Sequence, residues 1–225
     1  HYDNIYWFKL GGKILEIAVT EKKIKHIIQK SQHCQRNWDL SKHIPTEDID
    51  LLKYAATQCP SKQNSSFYDC YFVTNRGLIE TISRNTEGFY IEQVNKTVSN
   101  SQTMANMLVI LTNSSNKNRL EYKINKNYED QQAAEKDKLL AVGVCAGYLN
   151  FTASMLGYNT GCCTCFDNDA IQKSIDINQD ILLLMGIGYK NDTKNRRLHH
   201  GDDKIMFPAC PKEKIIFKHI TWIYL

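Results

Sequence analysis

Residues 139–156 read LLAVGVCAGYLNFTASML, and the fold turns on whether this apolar run crosses a bilayer or lies inside a protein core. Its length is only about the ~18 residues at which a stretch becomes a candidate span, and Asn150, Thr152 and Ser154 interrupt it. A buried helix fits it better. The preceding residues QQAAEKDK carry the helix back to about Gln131, and Gly157 is placed to close it as a C-cap.

Working outward from that helix, a short strand is expected around Thr160 to Thr164 and a small helix at FDNDAIQKSI, capped by Asp167. The apolar stretch DILLLMGIGYK reads as a buried strand. Upstream, Met107 to Leu111 is a second buried strand, a short helix is expected near Leu78 to Ser83, and DCYFVT is a further strand. Two helices precede these. The first follows Thr20 as N-cap, with Ile24, Ile27 and Ile28 at helical spacing and lysines on the other face. The second is IPTEDIDLLKYAATQ, with Thr46 as N-cap, Ile49, Leu52, Ala55 and Ala56 inward, and Pro60 beyond its end. Residues 113–128 are polar without a firm period and read as a loop or lid, the aromatic start YDNIYWFKL reads as a packed arm, and EKIIFKHITWIYL reads as extended. The whole is a mixed α/β (α+β) arrangement, a small sheet flanked by helices, with no linker to divide it.

Composition excludes some partners. At 225 residues and 42% hydrophobic content the chain can bury one full core. A net charge of +4 from 28 basic and 24 acidic residues is too mild and too dispersed for a nucleic-acid binder. Eight cysteines at irregular spacing, three of them in GCCTCF, read as reduced thiols. CCTC lacks a second Cys/His pair at metal-site spacing and His199 and His200 are adjacent, so no metal is expected. No secretory pattern opens the sequence, so the expectation is a cytoplasmic protein without membrane contact.

Several motifs occur in one order along the chain: QHCQRNWD, then CPSKQN, then the long helix with LGYNTGCCTCFDNDAI, then LLLMGIGYK and KNRRL. In that order and spacing, roughly from Ile24 to Met206, the chain resembles the flavin-dependent nitroreductase family. The resemblance implies a nitroreductase-like fold over residues 1–225, a lid at about 113–130 and a partner-wrapping tail at about 212–225. It also implies an interlocked homodimer with FMN at the subunit interface. Gln32, His33 and Cys34 fall where the family binds the flavin phosphate, and Arg36 where it carries a cation at the N1 and O2 edge that favours electron uptake. Pro60, Ser61 and Asn64 match its Pro-Ser-x-x-Asn turn. Cys163, Thr164 and Cys165 match the loop beside N5, and Lys194, Arg196 and Arg197 the basic cluster for the phosphate.

The sequence departs from the family at two of these places. Gln32 stands where an Arg is usual and Cys34 where a Ser is usual, which moves the burden of phosphate charge to the C-terminal cluster. Thr164 and Cys165 replace the common Glu-Gly, and a Thr there resembles the deiodinase branch, associated with one-electron steps. The expected activity is therefore an FMN-dependent oxidoreductase passing electrons from NADH or NADPH to an electron-poor acceptor such as a nitroaromatic or quinone. Arg36 and Thr164 are its candidate catalytic residues, and solvent, Tyr122 or Tyr128 are candidate proton sources. A deiodinase-like or flavin-processing branch, or a non-catalytic flavin binder, are the alternatives.

Overall fold

The computed structural model describes residues 20–92, 95–115 and 131–207, with the backbone of two further strands, β1 (Ile5–Leu10) and β2 (Lys13–Ala18). The lid residues 116–130, with Tyr122 and Tyr128, and the tail beyond Phe207 lie outside the described residues. Strands β1 and β2 pair antiparallel with Leu10 against Lys13, so the aromatic start forms a hairpin arm where no regular period was expected. The Gly11-Gly12 dipeptide between them is a hairpin signal in the sequence.

Two helices follow. α1 (Glu21–Ser31) is capped by the Thr20 hydroxyl, which accepts from the Lys23 N–H at 3.3 Å. α2 (Thr46–Thr57) starts one residue earlier than expected: Pro45 is its N-cap, and Thr46 is the first helical residue. The ring holds Pro45 at φ −58°, and its carbonyl accepts from Asp48 and Ile49, so no side-chain cap is needed. Next come β3 (Tyr68–Val73), α3 (Arg76–Arg84, capped by Asn75), β4 (Phe89–Ile91), β5 (Lys96–Val98) and β6 (Met107–Asn113). The long helix α4 (Gln131–Met155) ends in a Schellman motif. Gly157 has φ +97°, Tyr158 N–H bonds to Ala153 at 2.9 Å and Gly157 N–H to Ser154 at 3.2 Å. β7 (Asn159–Cys163), α5 (Asn168–Ile175), β8 (Ile181–Gly188), β9 (Leu198–His199) and β10 (Asp202–Met206) complete the described chain.

The central sheet has order β3-β6-β8-β7 and is antiparallel throughout. Its side chains divide by the two-residue period of a strand. Met107, Val109 and Leu111 of β6, with Leu183, Met185 and Ile187 of β8, pack under Leu52 and Ala56 of α2 and Val142, Cys145, Leu149 and Ala153 of α4. Leu108, Ile110 and Leu184 face the other way, onto Ile79 and Ile82 of α3 and Ile171 of α5. The apolar run 139–156 is thus half of a core, as its polar interruptions suggested, and no helix among the described residues is long and apolar enough to cross a membrane.

One face of α4 is left over. Leu140, Val144, Tyr148, Phe151 and Met155 form a helical stripe that is exposed. On α1 only Ile27 of the expected stripe is buried; Ile24 and Ile28 are 40% and 54% exposed. Their position beside α4 extends the same apolar surface.

Gly161 of β7 and Gly186 of β8 are register partners. A Cβ on Gly186 would stand 2.1 Å from the Gln102 carbonyl oxygen, and one on Gly161 would stand 2.8 Å from Gln102 Cβ. Backbone rather than a flexible side-chain tip blocks Gly186. Gly186→Ala is therefore expected to lower stability by about 1–3 kcal/mol, read as a fall in the urea midpoint with an unchanged slope.

Candidate functional site

The chain leaves α1 at Gln32 and runs through residues 34–39 across the end of the sheet. Gln35 N–H bonds to the Thr160 carbonyl of β7 at 2.8 Å, Arg36 N–H to the Arg196 carbonyl at 3.0 Å, and Asp39 N–H to Tyr189 at 2.9 Å. Trp38 anchors the segment: its ring is 1% exposed, and its indole N–H finds the Ser101 carbonyl at 2.8 Å. Cys34 is exposed and forms an isolated bridge with Thr160.

Arg36 is half-buried. Its guanidinium lies 4.7 Å over the centre of the Phe207 ring. With the Gln102 amide oriented so that its oxygen accepts, Arg36 Nη2 donates to it at 3.2 Å while the amide nitrogen donates to the Cys162 carbonyl. One side chain therefore links the cation to the strand that leads into Thr164. Thr164 and Cys165 are exposed in the loop after β7, which ends at Cys163 rather than reaching Thr164. Glu87 N–H bonds to the Cys165 carbonyl at 2.9 Å, and Asp167 N–H to Asn85 at 2.9 Å, so this loop is held from α3's end.

Side chains alternate along β7, and of its two cysteines, both read as small buried residues facing opposite ways, Cys163 is buried and Cys162 exposed. Burial pushes the Cys163 thiol above its ordinary range. All seven cysteines among the described residues are free thiols. No group of three His, Cys, Asp or Glu among those residues is arranged to hold a metal.

The basic cluster lies against the same segment. Arg196 Nη1 donates to the Cys34 carbonyl at 2.9 Å. Arg197 donates to the Phe207 carbonyl at 3.3 Å, and Lys194 pairs with Asp203 at 2.7 Å. Two separate stretches, 32–36 and 194–197, thus meet beside β7, the strand that leads into residues 163–165.

Pro60, Ser61 and Asn64 do not join them. They lie near β3, the opposite edge, three strand spacings or roughly 14 Å away. Ser61 Oγ donates to the Ser65 carbonyl at 2.7 Å, and Gln63 and Asn64 take φ of 54° and 56°. Ser61 and Asn64 line a groove of about 1100 Å³ that runs the length of β3. Within one chain this turn lies apart from the stretches beside β7.

Residues 30–189 match the family model described as the Nitroreductase family. The fold is that of several solved structures. A nitroreductase family protein from Streptococcus pneumoniae aligns over 88% of this chain and 98% of its own, with 16% identity and a TM-score of 0.60. One from Clostridium novyi aligns over 77% and 89%, with 15% identity and a TM-score of 0.58. An FMN-dependent nitroreductase from Clostridium difficile aligns over 89% and 99%, with 12% identity and a TM-score of 0.59. A comparison with curated proteins finds no match. Because the family model covers more than half of it, the chain belongs to the nitroreductase family, and with it to a class of oxidoreductases.

Gln102 and Phe207 escaped the sequence reading, which weighed His199 and His200 only as metal ligands. His200 Nδ1 accepts from the Trp38 N–H at 3.2 Å, and His199 stacks on Phe207. Burial holds both imidazoles below their ordinary range, and Arg76 adds to the effect at His200. A lowered imidazole pKa means that the unfolded chain takes up protons the folded one resists. The stability tied to these two groups is present above about pH 6.5 and lost as pH falls below it. Asp39, held down to about 2 by the Ser41 hydroxyl and the Lys42 ammonium, titrates outside that window. The melting temperature should fall between pH 7 and pH 5, and His200→Asn, which keeps an acceptor for Trp38, should flatten that fall.

Proposed function

We propose that the protein is an FMN-dependent oxidoreductase that takes hydride from NADH or NADPH and passes electrons to an electron-poor organic acceptor, and that it does so as a homodimer. The observation that carries the reading is that Arg36 and the 194–197 cluster meet beside β7, the strand that leads into the 163–165 loop.

The residues fit FMN in kind. A guanidinium has five N–H donors, and the Cys34 contact of Arg196 uses one, so its fork can also serve a phosphate. Arg36 offers a fixed cation, and Thr164 and Cys165 offer exposed backbone and hydroxyl groups. When bound, FMN supplies the redox chemistry; the chain binds it, orients it and sets the charge around it. On the family's pattern Arg36 lies at the N1 and O2 edge, and Thr164 beside N5. Gln32, His33 and Cys34 with Lys194, Arg196 and Arg197 form the phosphate side.

The second copy follows from two observations. Ser61 and Asn64 sit across the sheet from the other site residues, so only another chain can bring them there. The stripe Leu140, Val144, Tyr148, Phe151 and Met155, continued by Ile24 and Ile28, is the apolar surface an obligate dimer would bury.

A second reading has an observation in its favour. Lys194 is engaged by Asp203, and Gln32 brings no charge, so phosphate holding could be weak and the protein a flavin carrier. Steady-state NAD(P)H oxidation separates the two, since a carrier shows bound flavin and negligible turnover.

Added FMN should remain with the purified protein after desalting, seen as flavin bands at about one per chain, the ratio tight binding requires; a colourless protein ends the reading. Replacing Lys194 and Arg196 together by Ala should weaken FMN by roughly tenfold to a hundredfold for each lost charge. The native mass should be about twice 26.0 kDa. Tyr148→Glu, placing a charge in the centre of the apolar stripe, should give a monomer that also loses FMN, read by sedimentation and absorbance.

A further inference from the structure

We infer that His200 is a positioning residue for the segment that carries Cys34 and Arg36, and that it holds this segment only while its imidazole is neutral. The inference rests on the FMN reading above and extends it to a residue that no motif marks. Four backbone N–H groups of residues 34–39 bond to other parts of the chain: Gln35 to the Thr160 carbonyl, Arg36 to the Arg196 carbonyl, Trp38 to His200 Nδ1 and Asp39 to the Tyr189 carbonyl. Three of these acceptors are peptide carbonyls, which do not titrate. The other is a ring nitrogen, and a proton can take it away.

The bond at Trp38 has no substitute. Trp38 is 1% exposed, so its N–H is out of the reach of water, and losing the acceptor leaves a buried donor unpaired. A donor on Nδ1 requires that nitrogen to be bare, which puts the proton of the neutral ring on Nε2. A further proton would go to Nδ1 and turn two N–H groups against each other. The half-buried ring is surrounded by Arg76 of α3, His199 of β9, Lys194, and Asp203 of β10. Of these only Asp203 favours a charged imidazole, and Lys194 already pairs with that carboxylate at 2.7 Å. The surroundings therefore favour the neutral ring that the bond to Trp38 needs.

The place of His200 in the chain gives this bond a consequence for binding. It follows β9 directly, so the Trp38 bond joins the 32–38 stretch to the arm that begins with the basic cluster. Two other joints link the same stretches, from Arg36 N–H to the Arg196 carbonyl and from the Arg196 guanidinium to the Cys34 carbonyl. On the FMN reading these are the stretches that hold the flavin. Protonating His200 withdraws one joint, so the flavin binds best to the neutral form. By reciprocity, bound flavin keeps the imidazole neutral to lower pH.

The test is the dissociation constant of FMN at pH 7.5 and pH 5.5 in wild type, His200→Asn and His200→Leu. The flavin phosphate takes up its own proton at about pH 6, an effect common to all three proteins. His200→Asn keeps an uncharged acceptor and should bind like wild type at pH 7.5. Between the two pH values wild type should lose roughly tenfold more affinity than His200→Asn, as expected for one buried hydrogen bond. His200→Leu should be weaker by about that factor at both pH values. A merely structural role makes the wild-type and His200→Asn profiles parallel. Parallel profiles, with both proteins folded by circular dichroism at pH 5.5, overturn the inference and leave the reading of function standing. If wild type binds no FMN at pH 7.5, both fall. Should either protein be unfolded at pH 5.5, the Trp38 amide resonance of isotope-labelled wild type decides, followed downward from pH 8 without and with FMN. Its titration should move to lower pH when FMN is present, and a titration that stays in place overturns the inference.

Discussion

The site depends on two missing side chains. Where Gly161 and Gly186 face each other across β7 and β8, the sheet presents bare backbone, and the turn at residues 100–103 settles onto it. From that seat the turn offers the Ser101 carbonyl to Trp38 and the Gln102 amide to Arg36 and Cys162. Trp38 in turn fixes the extended segment that carries Cys34 and Arg36. A methyl group at Gly186 would lift the turn and loosen all of these at once, since the close-packed interior has no slack to absorb the shift.

Charge is arranged with the same economy. The pairs Lys25–Glu21, Lys53–Asp50 and Lys190–Asp192 lie at the surface, where each contributes little to stability. Arg36 meets an aromatic ring and an amide. Among the nearby cations, Arg196 and Arg197 bond backbone carbonyls, which leaves their charge standing, while Lys194 is offset by Asp203. The positive field at this edge therefore comes from arginines fixed by backbone, a suitable arrangement for an anionic group.

Sequence patterns reached the core and stopped short of the turn at residues 100–103. α2, α4, β6 and β8 were legible because long elements repeat an apolar period often enough to stand out, and the Schellman ending at Gly157 followed from one glycine. β4, β5, β9 and β10 have five residues or fewer and no period to read. The motif order named Arg36 and Lys194 to Arg197 as parts of one site, and the fold sets both stretches beside β7. That order could not show that Ser61 and Asn64 lie on the far edge, because colinear motifs do not encode strand order. Gln102 was invisible for a different reason: Asn100-Ser101-Gln102-Thr103 is a polar run that looks like a surface loop, and it is buried only because two glycines elsewhere make room.

That separation of the site across the sheet links its chemistry to its assembly. On the proposed reading, a chain that carries Arg36 at one edge and the Ser61–Asn64 turn at the other would not close the site on itself, since the strands between them are fixed by the core. Two copies related by a two-fold axis would solve this twice, each edge of one meeting the opposite edge of the other. The same helix that buries Val142, Cys145, Leu149 and Ala153 against the sheet exposes Leu140, Val144, Tyr148 and Phe151 on its outer side. Folding and pairing would then draw on opposite faces of α4, so the run that first raised the question of a membrane would be the hinge between a monomer's core and a dimer's site.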